Sequence, residues 1–211
     1  MGLGLESTAF LEHVKGLGAN FLSTAMIGRQ QMYKDGHAAG YAEDYFCSLG
    51  AIAVTSFDAS GYEGAENVHD FNLPIPPKFH NSYSVVLDGG TLEHIFDFPQ
   101  AIKNCMRMVE VGGHLLILTP TNNYSGHGFY QFSPDLFFRV LGPANGFEVN
   151  LMLVCRAGTT DWKEVKDEPF NSPNGAGYET LLLIMAKKTI EVPLFSVGIQ
   201  QSGYVKLWGA K

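Results

Sequence analysis

The sequence predicts an α/β domain: a mostly parallel sheet covered by helices on both faces. Three observations carry this. Short apolar, β-rich runs alternate with segments of helical periodicity, the pattern of βαβ units. The run Tyr83 to Leu87 ends in Asp88-Gly89-Gly90, and a second buried run, His114 to Thr119, follows Val111-Gly112-Gly113. The last two strand-like runs, Phe147 to Val154 and Thr180 to Ala186, have no helical segment between them and are expected to pair as an antiparallel edge.

Taken in order, residues 7–18 read as a helix, because Phe10, Leu11, Val14 and Leu17 recur at helical spacing behind a Ser7 or Thr8 cap. Phe21 to Ile27 is a short apolar run that stops at Gly28, a first strand. Tyr41 to Leu49 is a second helix, closed by Gly50. Ile52 to Phe57 is a strand ending at Asp58, and Asn67 to Phe71 a short extended piece. After the strand Tyr83 to Leu87 come a helix over Phe98 to Val109, the strand His114 to Thr119 and a helix over Pro134 to Leu141. A loop rich in Gly, Pro and Asn, Arg156 to Tyr178, joins the last two strands.

The 211 residues suit a single domain, 1–211, with an N-terminal helical segment over 1–21 and a C-terminal extension over 188–211. Hydrophobic residues make up 45% and charged residues 17%, which argues against extended disorder. The net charge of -7 argues against nonspecific nucleic-acid binding, so no nucleic-acid partner is expected. Cys47, Cys105 and Cys155 are unpaired in spacing, which predicts reduced, mostly buried thiols and a cytoplasmic protein. No basic-then-apolar leader is expected from Met-Gly-Leu-Gly-Leu-Glu, and no apolar run reaches the ~20 residues of a membrane span. Residues 190–211 carry Val192, Leu194, Phe195, Val197 and Trp208, too apolar for a free tail. Two readings stand: packing back on the same domain, or a homodimer contact.

In open α/β sheets the ligand lies beyond the carboxyl ends of the strands, so the residues just after each strand matter most. Asp58 stands at one such tip, and a carboxylate offers two acceptor oxygens to a ribose diol. Asp88-Gly89-Gly90 lets a ligand approach the backbone closely. Together with Gly112-Gly113 and the Thr119-Pro120 strand end, this order resembles the class I S-adenosylmethionine-dependent methyltransferases. The resemblance covers about residues 22–187. It implies a Rossmann-like methyltransferase fold with a mostly parallel seven-stranded sheet, an antiparallel last strand and helices on both faces. It also implies S-adenosylmethionine as cofactor and methyl transfer to a small-molecule acceptor.

Residue by residue, the resemblance places the ribose on Asp58 with Ala59 and Ser60. It places the adenine on Asp70 and Phe71, and the methyl donor along Asp88 and Gly89. Leu92-Glu93-His94 resembles a sequence common in small-molecule methyltransferases; Glu93 also suits a first helical turn in its own right. The first loop departs from the family's G-x-G-x-G pattern. Either Gly28-Arg29-Gln30 replaces it, with an insertion before the helix at Tyr41, or Gly36-His37-Ala38-Ala39-Gly40 is the loop. The first placement is preferred, because Gln31 to Asp35 is too polar for a central strand. The degenerate loop also supports an alternative function, a noncatalytic binding or scaffold protein on this fold.

The acceptor side falls in Thr119 to Pro134, which combines His, Tyr, Asn and Gln with aromatic and small residues. His127 and His94 are the candidate proton acceptors, and Tyr130 a candidate for orienting the substrate. Each has a structural reading too, His127 as a loop residue between Gly126 and Gly128. No metal site is predicted, since no HxxxH or HxH spacing exists.

Overall fold

The computed structural model describes residues 2–168 and 177–209. The elements, in chain order, are β1 (Gly2–Leu3), α1 (Leu5–Gly16), β2 (Ser23–Ile27), β3 (Gln31–Lys34), β4 (His37–Tyr41), α2 (Glu43–Ser48), β5 (Ala53–Asp58), β6 (Asn67–Val68), β7 (Tyr83–Asp88), α3 (Phe98–Met108), β8 (Val109–Asn122), α4 (Pro134–Val140), β9 (Phe147–Arg156), β10 (Lys163–Glu164), β11 (Thr180–Lys188) and α5 (Ser202–Gly209).

The main sheet has eight strands in the order β10-β9-β11-β8-β7-β2-β5-β6. β6, β5, β2, β7 and β8 run parallel, and β11 pairs antiparallel with both β8 and β9. The antiparallel ending is therefore as expected, with β11 inserted between β8 and β9. Two corrections apply to the expected seven strands. The short β10 adds an edge, and a separate three-stranded sheet, β1-β3-β4, stands beside the main one.

Strand alternation divides the core between the two faces. Along β7, Val85 and Leu87 join α1 and α2 in one apolar cluster, while Val86 joins α3 and α4 in the other. All six residues of β7 are buried, as a central parallel strand requires. α3 begins at an Asp97 cap whose carboxylate accepts the Gln100 N–H. Ala101, Ile102 and Cys105 on its buried face lie in the same cluster as Phe137.

Several boundaries differ from expectation for identifiable reasons. α1 starts at Leu5 behind Gly4, without a side-chain cap; Ser7 is buried, and the Thr8 hydroxyl donates back to the Gly4 carbonyl. β8 begins at Val109, and Gly112-Gly113 lies inside it as an irregularity: Tyr83 pairs with Val109, but Val85 pairs with His114. The extended piece after β5 is only Asn67–Val68, because Asp70 to Leu73 turns. Of the long loop, residues 163–164 form β10, and residues 169–176 lie outside the described ones.

The structure also decides the first loop. β2 is the strand flanked by β5 and β7, so Gly28-Arg29-Gln30 is the turn that leaves the central strand. The insertion is the β3–β4 hairpin, turned at Asp35 and Gly36, both at positive φ (51° and 78°). The tail folds back as far as Ser202: Phe195 N–H donates to Asn145, and Ser202 N–H to Asp135. No helix among the described residues is long and apolar enough to cross a membrane.

Candidate functional site

The chain runs β2, β5, β6 toward one edge and then β7, β8 toward the other. The topological switch point is therefore the crevice beyond β2 and β7, between Gly28 and Asp88-Gly89. Two cavities flank it.

The first, ≈ 240 Å³, is lined by Gly28, Phe57, Asp58, Ala59, Asp70, Phe71 and Asn72, with Thr91 and His94 closing it. Each wall residue is held by its element. Gly28 has φ 74° and donates its N–H to the Phe57 carbonyl, tying the two strand ends together. Asp58 accepts the Ser60 N–H; Ser60 thus braces the carboxylate and does not line the cavity itself. Asp70 accepts both the backbone N–H and the side-chain amide of Asn72, which hold its carboxyl below the usual range. Phe71 is buried edge-on against Phe57. The loop is pinned from behind by Asn104 of α3, whose amide donates to the Phe71 and Leu73 carbonyls and whose oxygen accepts the Ile75 N–H.

The second cavity, ≈ 190 Å³, is lined by Gly89, Gly90, Glu93, Leu118, Pro120, Tyr124, His127 and Leu181, and covered by Gly2, Glu6 and Ser7 of the N-terminal segment. The turn 89–94 serves both cavities. Thr91 and His94 face the first; Gly89, Gly90 and Glu93 face the second. Asp88 lines neither. It is fully buried, and one of its oxygens accepts the Thr91 and Leu92 N–H groups, capping the 3₁₀ turn Leu92–His94. Burial, and then the neighbouring Glu93, push its carboxyl well above the usual range.

Glu93 is 1% exposed, and burial lifts its carboxyl to about 7. Thr119 donates a hydroxyl to its Oε2 at 3.3 Å. Its backbone carbonyl accepts the N–H groups of Phe129 and Tyr130, which clamps the 126–130 loop onto the turn. Gly128 permits this approach: a Cβ there would lie 2.8 Å from that same carbonyl. The clamp sets His127 over Glu93, with its Nε2 3.7 Å from Oε1, and His94 Nε2 lies 3.9 Å from the same oxygen. The two imidazoles are 5.0 Å apart. Burial, and then His127, keep His94 below its ordinary value. Tyr130 lines neither cavity; its hydroxyl donates to the Phe96 carbonyl and its ring stacks on Phe132.

The turn at Gly28-Arg29-Gln30 carries what sequence reasoning missed. Gln30 is fully buried, and its amide donates to the Ile27 and Gly28 carbonyls. The carboxamide sits so close to Gly89 that a Cβ there would lie 2.7 Å from Cδ. Its oxygen has no hydrogen-bond partner. Arg29 pairs with Glu43 at 2.7 Å, donates to the Glu63 and Gly64 carbonyls and covers the Tyr41 ring. Side chains thus stand where the glycine-rich pattern would leave bare backbone. Asn104 did leave a signal, a polar residue on the apolar face of α3; Gln30 left none.

Of the residues predicted for cofactor binding, Gly28, Asp58, Ala59, Asp70 and Phe71 meet in one cavity, and Gly89 stands in the other. His94 and His127 come together; Tyr130 does not join them. The spacing predicted no metal site, yet among the described residues Glu93, His94 and His127 form one cluster of ligand-type atoms, all within 4.8 Å of one another.

No family profile matches the sequence, and no curated protein matches it. Solved structures do. A protein from Bacillus halodurans assigned to the methyltransferases superposes with a TM-score of 0.58 at 13% identity, covering 87% of this chain and 99% of the other. The 1,6-didemethyltoxoflavin-N1-methyltransferase of Burkholderia thailandensis, solved with its substrate and S-adenosylhomocysteine, gives 0.51 at 16% identity, over 87% and 76%. The [4+2]-cyclase SpnF gives 0.54 at 13% identity, over 87% and 81%. The chain has the class I methyltransferase fold, a mixed α/β architecture on a large, mostly parallel sheet.

Proposed function

We propose that the protein transfers a methyl group from S-adenosylmethionine to a small-molecule acceptor. The observation that carries this is the cavity at the switch point, where Asp58 and the adjacent pair Asp70-Phe71 converge from two separate segments. Its donor set suits an adenosine: a carboxylate at the strand tip for the ribose, a second for the adenine amino group and an aromatic wall for the ring. When bound, the cofactor supplies an activated methyl on a sulfonium. The chain's part is alignment. The turn 89–94 leads from the adenosine cavity to the second one, where the acceptor is placed. His127, which lines that cavity beside the buried Glu93, is the group there able to take a proton from an oxygen or nitrogen acceptor; His94, on the first cavity's side of the turn, is the second candidate.

Calorimetry with S-adenosylhomocysteine tests the reading. Saturable binding that weakens at least about 10-fold in Asp58→Ala is expected, since hydrogen bonds to a charged group are worth ~1.5–3 kcal/mol. No binding at millimolar ligand overturns it.

One observation favours the noncatalytic scaffold instead: Gln30 and Arg29 occupy the first loop with their own contacts. That reading predicts no turnover with any acceptor. We also propose a homodimer through the C-terminal extension, where α5 leaves Tyr204, Val205, Leu207 and Trp208 exposed.

A further inference from the structure

We propose that Glu93, His94 and His127 form a binding site for one divalent ion of the zinc, cobalt and nickel class, open toward the second cavity. The proposal stands on the geometry of the three side chains and not on the function above, although His94 also lines the first cavity.

The first support is distance. Glu93 Oε1 lies 3.7 Å from His127 Nε2 and 3.9 Å from His94 Nε2. Both separations are too long for hydrogen bonds. Ligands ~2.0–2.2 Å from a tetrahedral ion stand roughly 3.3–3.6 Å apart, so each pair need close by only a few tenths of an ångström to share one ion. The full set lies within 4.8 Å, so completing it takes movement of the imidazoles toward Glu93. The histidines have that freedom: their side chains are 35% and 45% exposed, while Glu93 is fixed below them.

The second support is how the carboxylate is held. Thr119 orients Oε2 from behind, the outer contact that tunes a metal-binding carboxylate. The two N–H bonds into the Glu93 carbonyl, and the Gly128 approach they require, fix the His127 loop over it. Ligands from a 3₁₀ turn and a loop more than 30 residues away are thus brought together by backbone, not by chance contact of exposed side chains.

The third support is the donor set. Two imidazoles and one carboxylate suit borderline ions, and three protein ligands leave at least one position free, as catalytic sites do and closed structural sites do not. Gly89, Gly90 and Tyr124 line the second cavity together with Glu93 and His127. With an ion present, both imidazole lone pairs are spent on it; proton acceptance by His94 and His127 belongs to the ion-free protein.

The test uses the full chain, freed of metal by chelator and dialysis. Cobalt(II) is titrated while its visible d–d absorption is followed, and zinc(II) is titrated by calorimetry. One saturable equivalent is expected, with affinity reduced at least about 10-fold in His127→Asn and in Glu93→Gln. His127 is on the surface, so its variant carries the test even where Glu93→Gln does not fold. Absence of saturable binding, or binding unchanged by His127→Asn, overturns the site. S-adenosylhomocysteine is titrated into the same samples. Nucleoside binding without metal binding defeats this inference alone, and metal binding without nucleoside binding defeats only the proposed methyl transfer.

Discussion

The Gln30 carboxamide sits between the two strand ends that bracket the switch point, bonded to the Ile27 and Gly28 carbonyls and against Gly89. It touches Gly89 so closely that the two positions are energetically one. Gly89→Ala forces Gln30 off its two carbonyl acceptors and is expected to destabilise the fold by about 1–3 kcal/mol, as overpacking does. In Gly89→Ala/Gln30→Ala the added methyl has room, so the double variant is expected to fall well short of the summed single losses. Urea denaturation of the four proteins reads this coupling; strict additivity would place Gln30 away from Gly89. Lys188 is the other residue whose surroundings contradict its type. It is 1% exposed, with its ammonium on the Asn81 side chain, the Val109 carbonyl and Glu191. Lys188→Met keeps the packing and orphans the buried carbonyl, a loss of about 1–3 kcal/mol in the same measurement.

At the level of elements, β8 carries a pH signature. His114 lies in β8, 7% exposed, with Lys187 opposite it on β11 and its Nδ1 unpartnered. Burial, and then Lys187, lower its pKa below 6.5. Above about 6.5 the imidazole is neutral folded or unfolded; as pH falls below that, the unfolded chain takes up a proton that the folded one resists. His114 therefore costs stability as pH falls below 6.5, down to its lowered folded value. The raised carboxyls of Asp88 and Glu93 act in the opposite sense, so the comparison that isolates His114 is wild type against His114→Gln. Between pH 7.5 and 5.5 the wild type is expected to lose stability relative to the variant, and parallel curves would refute it. Elements also show what the sequence made legible. β7, buried throughout, and α3, with its regular apolar face, stand within a residue of expectation. The β3–β4 hairpin did not show as strands because both its faces are largely exposed, though Asp35-Gly36 is a hairpin turn pair. β8 was read short because Gly112-Gly113 looked like a turn, and only pairing with β7 reveals a strand irregularity.

For the whole molecule, the grouping of Gly28, Asp58, Asp70 and Phe71 around one cavity was legible because each stands at or just after a strand, and strand tips can be found one at a time. The juxtaposition of Glu93 and His127 was not legible, because they meet only through a loop clamp that no local pattern encodes. The proposed homodimer makes a whole-molecule prediction. Sedimentation at micromolar concentration is expected to show a dimer that Trp208→Glu returns to monomer; a wild-type monomer would leave α5 serving its own chain alone. The position of β11 has one more consequence, for the order of assembly. It is the last strand of the main sheet to leave the ribosome, yet it separates β8 from β9. Until it arrives, β9 pairs only with the two-residue β10, and the edge of β8 away from β7 has no strand beside it. A nascent chain halted before residue 180 thus exposes unpaired apolar strand edges, a template for self-association. The chain ahead of Thr180 must wait for its closing strand, and the interval between synthesis of β9 and of β11 is when its strand edges stand open.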